Sequence, residues 1–273
     1  WERPNWFDPT GATAKAALTF EGKPGWFDAV GAEHRAVRER VALIDQSSFS
    51  KFEMTGPGAF ACLQRLAAND LAGGPGKCTY TQLCNERGGI EADLTIMQTG
   101  PETFYIVTGS AFGVRDGGWI RRHMPTDGTA HLRDVTSGRA VINLVGPKAR
   151  AVLAQVTSDD VSNEAFPFLA VRDIEIGMAT VTAARIGYVG ELGWELHMAA
   201  EFAPHVYEVL KEAGAAYGIA DVGYKAIDTL RLEKGYLYWS SDIGPDYTPY
   251  EAGLGFCVAL AKGEFIGRTA LEK

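Results

Sequence analysis

A short acidic strand preceded by glycines occurs twice in this chain, and that doubling constrains its fold more than any other feature. Gly88-Gly89-Ile90-Glu91-Ala92-Asp93-Leu94-Thr95-Ile96-Met97 is echoed about a hundred residues later by Gly190-Glu191-Leu192-Gly193-Trp194-Glu195-Leu196-His197-Met198. Each copy reads as a turn leading into an alternating strand, with a carboxylate where alternation requires only a polar residue. The repetition extends upstream. Met54-Thr55-Gly56-Pro57-Gly58-Ala59 and Leu144-Val145-Gly146-Pro147-Lys148-Ala149 both read as a strand end, a Gly-Pro entry and a helix start, and proline suits a first helical turn because its missing N–H would have no partner there. Two copies of one strand-helix-strand unit, related by a pseudo-twofold axis, would bring Asp93 and Glu195 to opposite walls of a central cleft. The alternative is that both are ordinary strand-exposed acids.

The order of elements gives the fold class. Helical spacing marks 28–41, 57–68, 112–124, 147–156, 201–217 and 222–233. Strand patterns mark 50–55, 79–85, 92–99, 103–110, 130–136, 140–145, 169–176, 178–186 and 193–198. Strands joined at hairpin length and broken by helices predict an α+β fold of two pseudo-repeated antiparallel-sheet-plus-helix units. The expected domains are an N-terminal aromatic segment and helix (1–48) packing on the second unit, a first α+β unit (49–138), a second (139–256), and the start of a truncated C-terminal region (257–273). Residues 1–27, with Pro4, Pro9 and Pro24, read as irregular. The opening lacks an initiator methionine and the end falls within a helix just begun, so a piece of a longer polypeptide is expected.

Composition excludes several classes. With 273 residues, 46% of them hydrophobic, the chain is long enough for two core-forming units, and no apolar run is long enough to span a bilayer. A net charge of −8 without a basic stripe argues against nucleic acid. Cys62, Cys78, Cys84 and Cys257 lack CxxC spacing, which favours a reduced compartment, and no His/Cys cluster suggests a metal. Neither GxGxxG nor GxxxxGK is present, so no dinucleotide or nucleoside triphosphate site is expected here.

The surroundings of the two acids suggest a planar ligand. Tyr80 precedes the Asp93 turn, Tyr188 and Trp194 flank Glu195, and Gly88, Gly89, Gly190 and Gly193 allow close backbone approach. A carboxylate can accept two parallel N–H bonds from an amidine-like edge such as that of a pterin or guanine. One acid would anchor the ring and the other would face the reactive centre, with Arg231 meeting an anionic tail. Core packing of Tyr80 and Trp194, and local pairing of Arg231 with Asp228 or Glu233, are the competing readings.

Three runs carry a family resemblance: Tyr80 to Thr95, Gly187 to Leu196, and Asp228-Thr229-Leu230-Arg231-Leu232-Glu233-Lys234-Gly235-Tyr236. They resemble the tetrahydrofolate-binding region of the aminomethyltransferase (glycine cleavage T-protein) superfamily. Arg3-Pro4-Asn5-Trp6-Phe7, Trp119-Ile120-Arg121-Arg122-His123, Ser162 to Phe168 and Glu251 to Phe256 are similar to the folate-binding part of dimethylglycine and sarcosine dehydrogenases or oxidases. The resemblance is collinear over essentially the whole chain. It implies a central folate cleft and a C-terminal β-barrel that this stretch lacks. It further implies Asp93 as the catalytic proton acceptor, Tyr188 near the reactive centre, Tyr80, Thr95 and the backbone at Val107 lining the folate, Glu195 with Leu196 and His197 at the pterin edge, and Arg231 near the folate. The implied activity is capture of the carbon of an oxidised N-methyl amine to give 5,10-methylenetetrahydrofolate. FAD would belong to a separate upstream domain acting in cis, with oligomers possible, in the cytoplasm or a mitochondrial matrix. The rivals are a stand-alone aminomethyltransferase, a redox-neutral folate-dependent demethylase, and a non-catalytic folate-binding scaffold. The scaffold branch carries Lys-Gly-Cys-Tyr, where this chain has Lys234-Gly235-Tyr236 and retains Asp93.

Overall fold

The computed structural model describes residues 1–8 and 22–273. Pro9, and with it the irregular reading of 9–21, lies outside the described residues. The chain divides into two compact units, one comprising 1–48, 139–168 and 172–236, the other 49–138, 169–171 and 237–273.

The second-named unit is built on a five-stranded antiparallel sheet. Its strands are β2 (Ser50–Thr55), β3 (Lys77–Cys84), β4 (Ile90–Gly100), β5 (Thr103–Thr108) and β6 (His131–Asp134), in the order β3-β4-β5-β2-β6. Period-two alternation separates its faces. Ala92, Leu94 and Ile96 of β4 join Phe104 and Ile106 of β5 and Phe52 and Met54 of β2 in a core, packed against Leu63 and Leu66 of α2 (Ala59–Leu66) and Ile120 of α3 (Gly113–Arg122). Burying the larger of those side chains contributes roughly 1.5–3 kcal/mol each. Asp93 and Thr95 therefore fall on the opposite face. A short helix, α7 (Arg268–Leu271), closes the described chain.

The other unit carries a six-stranded sheet of β1 (Ala42–Asp45), β7 (Arg139–Val145), β8 (Val171–Ile176), β9 (Ala179–Ala184), β10 (Gly193–Ala199) and β11 (Ala220–Asp221), in the order β11-β1-β7-β10-β9-β8. Most of the expected elements are present within a few residues. Two strands were not expected, β1 and β11, and they pair in parallel, whereas β1–β7, β7–β10 and β10–β9 are antiparallel. The sheet is therefore mixed.

The helices of this unit are α1 (Phe27–Glu39), α4 (Ala149–Val156), α5 (Ala203–Gly214) and α6 (Tyr224–Glu233). Val30 and Val37 of α1 pack with Ala226, Ile227 and Leu230 of α6, and Trp6 and Trp26 join them. The aromatic opening is also tied by hydrogen bonds. The N–H groups of Tyr224 and Lys225 donate to the carbonyls of Pro4 and Asn5 at 3.0 Å each, and Glu33 accepts from the N–H of Gly223 at 3.0 Å.

The two Gly-Pro entries share one local conformation. Gly56 and Gly146 have φ of 114° and 120°, which L side chains rarely adopt, and each carbonyl accepts from the N–H three residues on at 3.0 Å. Among the described residues, no helix is long and apolar enough to cross a membrane.

Candidate functional site

Four of the residues singled out in sequence lie together on one face of the five-stranded sheet. Register places Tyr80 of β3 opposite Thr95 of β4, and Thr95 opposite Val107 of β5. Lys51 of β2, wholly buried, continues that row opposite Val107. Two residues along, Gln82 faces Asp93 directly. Cross-strand neighbours of this kind share a sheet face and interact.

The Gln82 amide donates from Nε2 to Asp93 Oδ1 at 2.8 Å, and the Tyr80 hydroxyl donates to the same carboxylate. Asp93 as a residue keeps partial exposure, but its carboxyl is closely surrounded by protein. That burial is the strongest influence and pushes it up to about 6, against the lowering effect of the two hydrogen bonds. The charge of Asp116 on α3 adds to the rise. Asp116 is buried, accepts from the Thr108 hydroxyl at 2.5 Å, and is itself pushed up to about 6 by burial. Burial also raises the Tyr80 phenol, which keeps its proton and remains a donor.

Two groups near Asp93 were missed in the sequence. Gln82 is fully buried; only the hairpin register reveals it as the partner of Asp93. Cys257, on the 3-10 turn Gly255–Cys257, is also buried, and burial together with the Asp93 charge pushes its thiol up to about 12. Its neighbour Phe256 is 76% exposed, with its ring 6.4 Å from that of Tyr80.

In the six-stranded sheet, Glu195 and His197 are both buried and two residues apart on β10, which sets them on one face. Glu195 Oε2 lies 3.4 Å from His197 Nε2. Glu195 also faces an amide, Asn143 of β7, but that amide donates from Nδ2 to Gln46 Oε1 at 3.3 Å. Leu196 points to the opposite face and is wholly buried.

Tyr188 is half-buried against the α1–α6 core, and its ring stacks on Tyr236 at 6.1 Å. Arg231 is buried; its guanidinium meets Asp228 at 2.8 and 2.9 Å and donates to the Tyr236 carbonyl at 3.0 Å. Trp194 is a core residue, fully buried edge-on to Phe166 at 6.0 Å.

The glycines serve the chain's own packing. A Cβ at Gly89 would meet the Pro245 carbonyl oxygen at 1.9 Å, and one at Gly193 the Leu144 carbonyl oxygen at 2.6 Å. Both are close approaches of backbone to backbone, where the sequence suggested approach of a flat ligand.

Two sheets with flanking helices, each bearing an acid on an interior strand with its carboxyl enclosed by protein, define a mixed α+β fold of the aminomethyltransferase class. The glycine cleavage system aminomethyltransferase T from Bartonella henselae superposes with a TM-score of 0.79 at 28% identity, covering 96% of this chain and 72% of that one. The chain belongs to the GCVT N-terminal domain family, which matches residues 1–262. It is 39% identical to the 4-methylaminobutanoate oxidase (formaldehyde-forming) of Paenarthrobacter nicotinovorans and 38% identical to the mitochondrial dimethylglycine dehydrogenase of Mus musculus, all of this chain aligning in both cases. It spans only 33% and 31% of the length of those relatives. The chain is thus a transferase-type domain related to demethylating oxidoreductases.

Proposed function

We propose that this chain is the tetrahydrofolate-dependent one-carbon-transfer domain of a larger flavin-dependent demethylating enzyme. It captures the iminium- or formaldehyde-level carbon of an oxidised N-methyl amine, of the dimethylglycine or sarcosine type, as 5,10-methylenetetrahydrofolate. The relatives' names supply the amine chemistry: one acts on dimethylglycine and another forms formaldehyde. A flavin domain on the same polypeptide would perform the oxidation.

The observation that carries the reading is the Asp93 carboxyl, held by Gln82 and Tyr80 and pushed up to about 6. A base with a proton affinity near neutrality is ionised at working pH and still accepts a proton readily. The acceptor groups also suit a reduced pterin. Glu195 offers carboxylate oxygens to N–H groups, while its facing amide is engaged elsewhere. When bound, tetrahydrofolate supplies a nitrogen nucleophile for the one-carbon unit.

The residues divide the remaining work. Asp93 accepts the proton lost as that nitrogen attacks. Tyr80, Thr95 and the Val107 backbone line the folate beside it. Glu195, with Leu196 and His197 beside it, takes the pterin edge, Tyr188 serves the reactive centre, and Arg231 serves the folate.

The test supplies tetrahydrofolate and formaldehyde and follows 5,10-methylenetetrahydrofolate by chromatography against the uncatalysed condensation. The protein should exceed that background, and Asp93→Asn should return it close to background. Equal rates with and without protein, in a sample shown by calorimetry to bind tetrahydrofolate, would leave a binding domain in place of a transferase.

A further inference from the structure

Gln82 is wholly buried, and its amide is satisfied on one side only: the side chain also hydrogen-bonds Tyr80 and Cys257. Nε2 donates to Asp93 Oδ1 at 2.8 Å, while Oε1 has no partner. Buried amide oxygens are ordinarily satisfied, so an orphan beside a titratable carboxyl calls for an explanation. The groups facing that carboxyl are the Tyr80 hydroxyl on the same strand as Gln82, the Cys257 thiol on its 3-10 turn, and Asp116 on α3.

The other sheet offers an internal contrast. Asn143 occupies the equivalent cross-strand position opposite Glu195 and turns its Nδ2 away to Gln46. Opposing an acid across a strand pair therefore does not by itself make an amide donate to it. At Asp93 it does.

Resting on the reading of Asp93 as the proton acceptor, we infer that Gln82 is its positioning residue, an amide that holds the carboxylate through Nε2 and can turn Oε1 toward the carboxylic acid. An amide differs from a lysine or an apolar side chain in serving both states. Facing the ionised group it donates, and after a half-turn about its terminal torsion it accepts the carboxylic O–H. The carboxyl gains one proton from the attacking amine nitrogen and returns it to solvent, and Gln82 keeps it in one orientation through both steps. Cys257 bounds the pair on the turn side, its thiol protonated at neutral pH.

Two readouts on the protein separate this role from simple packing. In Gln82→Leu both states lose a partner, but the ionised carboxylate loses the stronger, charge-assisted bond, so the rising limb of the rate profile should still move up, by about one pH unit. Activity should then be about fivefold low near pH 6, approaching tenfold below about pH 5, and within about threefold of wild type near pH 9, with tetrahydrofolate affinity unchanged in calorimetry. Gln82→Met serves if the leucine variant does not fold. In the unmutated protein, the infrared band of the Asp93 carboxylic C=O, identified by its loss in Asp93→Asn, should lie at the lower frequency of a hydrogen-bonded acid. A band at the position of a free acid, or a limb that stays in place in the Gln82 variants, overturns the inference. Should Asp93→Asn react at the wild-type rate, the reading of Asp93 falls, while the shift of that infrared band between the unmutated protein and Gln82→Leu, with Tyr80 in place in both, still decides whether Gln82 holds the acid.

Discussion

The two acidic strands start from the same arrangement and end with different chemistry. On β4 the carboxylate faces Gln82 and receives its N–H, with Tyr80 adding a second donor. On β10 the carboxylate faces Asn143, whose N–H goes to Gln46, and its near neighbour is His197 at 3.4 Å. One acid is therefore held in place by the protein's own donors, and its proton affinity is displaced toward neutrality. The other is opposed by an amide that donates to Gln46, and on the proposed reading its oxygens serve a ligand's N–H groups. The lesson is that a repeated strand does not imply a repeated role, because the orientation of one amide decides which acid is engaged.

The largest expected effect tests the β4 side. Asp93→Asn keeps shape and one acceptor oxygen but cannot take a proton, so one-carbon capture should fall by about 10²–10⁴-fold. Tetrahydrofolate affinity by calorimetry should stay within about threefold. The mirror change on β10 is Glu195→Gln. Replacing a charged acceptor by a neutral one should weaken tetrahydrofolate binding by roughly 10- to 100-fold, while the rate at saturating folate changes by only several-fold. If both variants moved the same parameter, the division of labour would be wrong.

A smaller effect appears in stability. Because burial raises the Asp93 carboxyl from its ordinary range to about 6, the folded state holds that proton more tightly than the unfolded chain does. Its contribution is most favourable below about pH 4 and is lost as pH rises through about 6. Asp93→Asn should therefore be more stable than wild type at pH 7–8, by on the order of 1–3 kcal/mol. The difference should vanish below about pH 4 in denaturant titrations. A constant difference across that range would show that burial of charge is not what burdens the site.

The smallest change is expected at Arg231, whose guanidinium is already tied to Asp228 and the Tyr236 carbonyl. Arg231→Lys loses the fork geometry and should cost about 1 kcal/mol of stability. A loss of folate affinity beyond about tenfold would assign it a direct ligand contact as well.

Much of this was legible in the sequence because it rests on local rules. The Gly-Pro helix entries, the hairpin glycines and the alternation on β4 and β10 each announce their element, so Asp93 and Glu195 could be singled out and placed on strands. What escaped depends on pairing between segments. β1 and β11 are short, and their parallel pairing joins residues far apart in the chain, which no local pattern encodes. Gln82 stands inside the run that carried the resemblance, yet its role follows from the β3–β4 register, and that register shifts at Leu83/Cys84 near the turn. Cys257 reaches Asp93 from a turn more than 160 residues downstream. The glycines suggest an open ligand surface in sequence, whereas Gly89 and Gly193 abut the chain's own carbonyl groups and Gly88 and Gly190 abut the Leu271 and Lys234 side chains.

The central claim is that Asp93, and not its β10 counterpart, is the base. The pH dependence of one-carbon capture at saturating tetrahydrofolate tests it most directly, measured for wild type, Asp93→Asn and Glu195→Gln. The account predicts a rate that rises with pH through about 6 in the wild type, keeps that limb in Glu195→Gln, and loses it in Asp93→Asn. A limb that persists in Asp93→Asn, or that disappears only in Glu195→Gln, would contradict it.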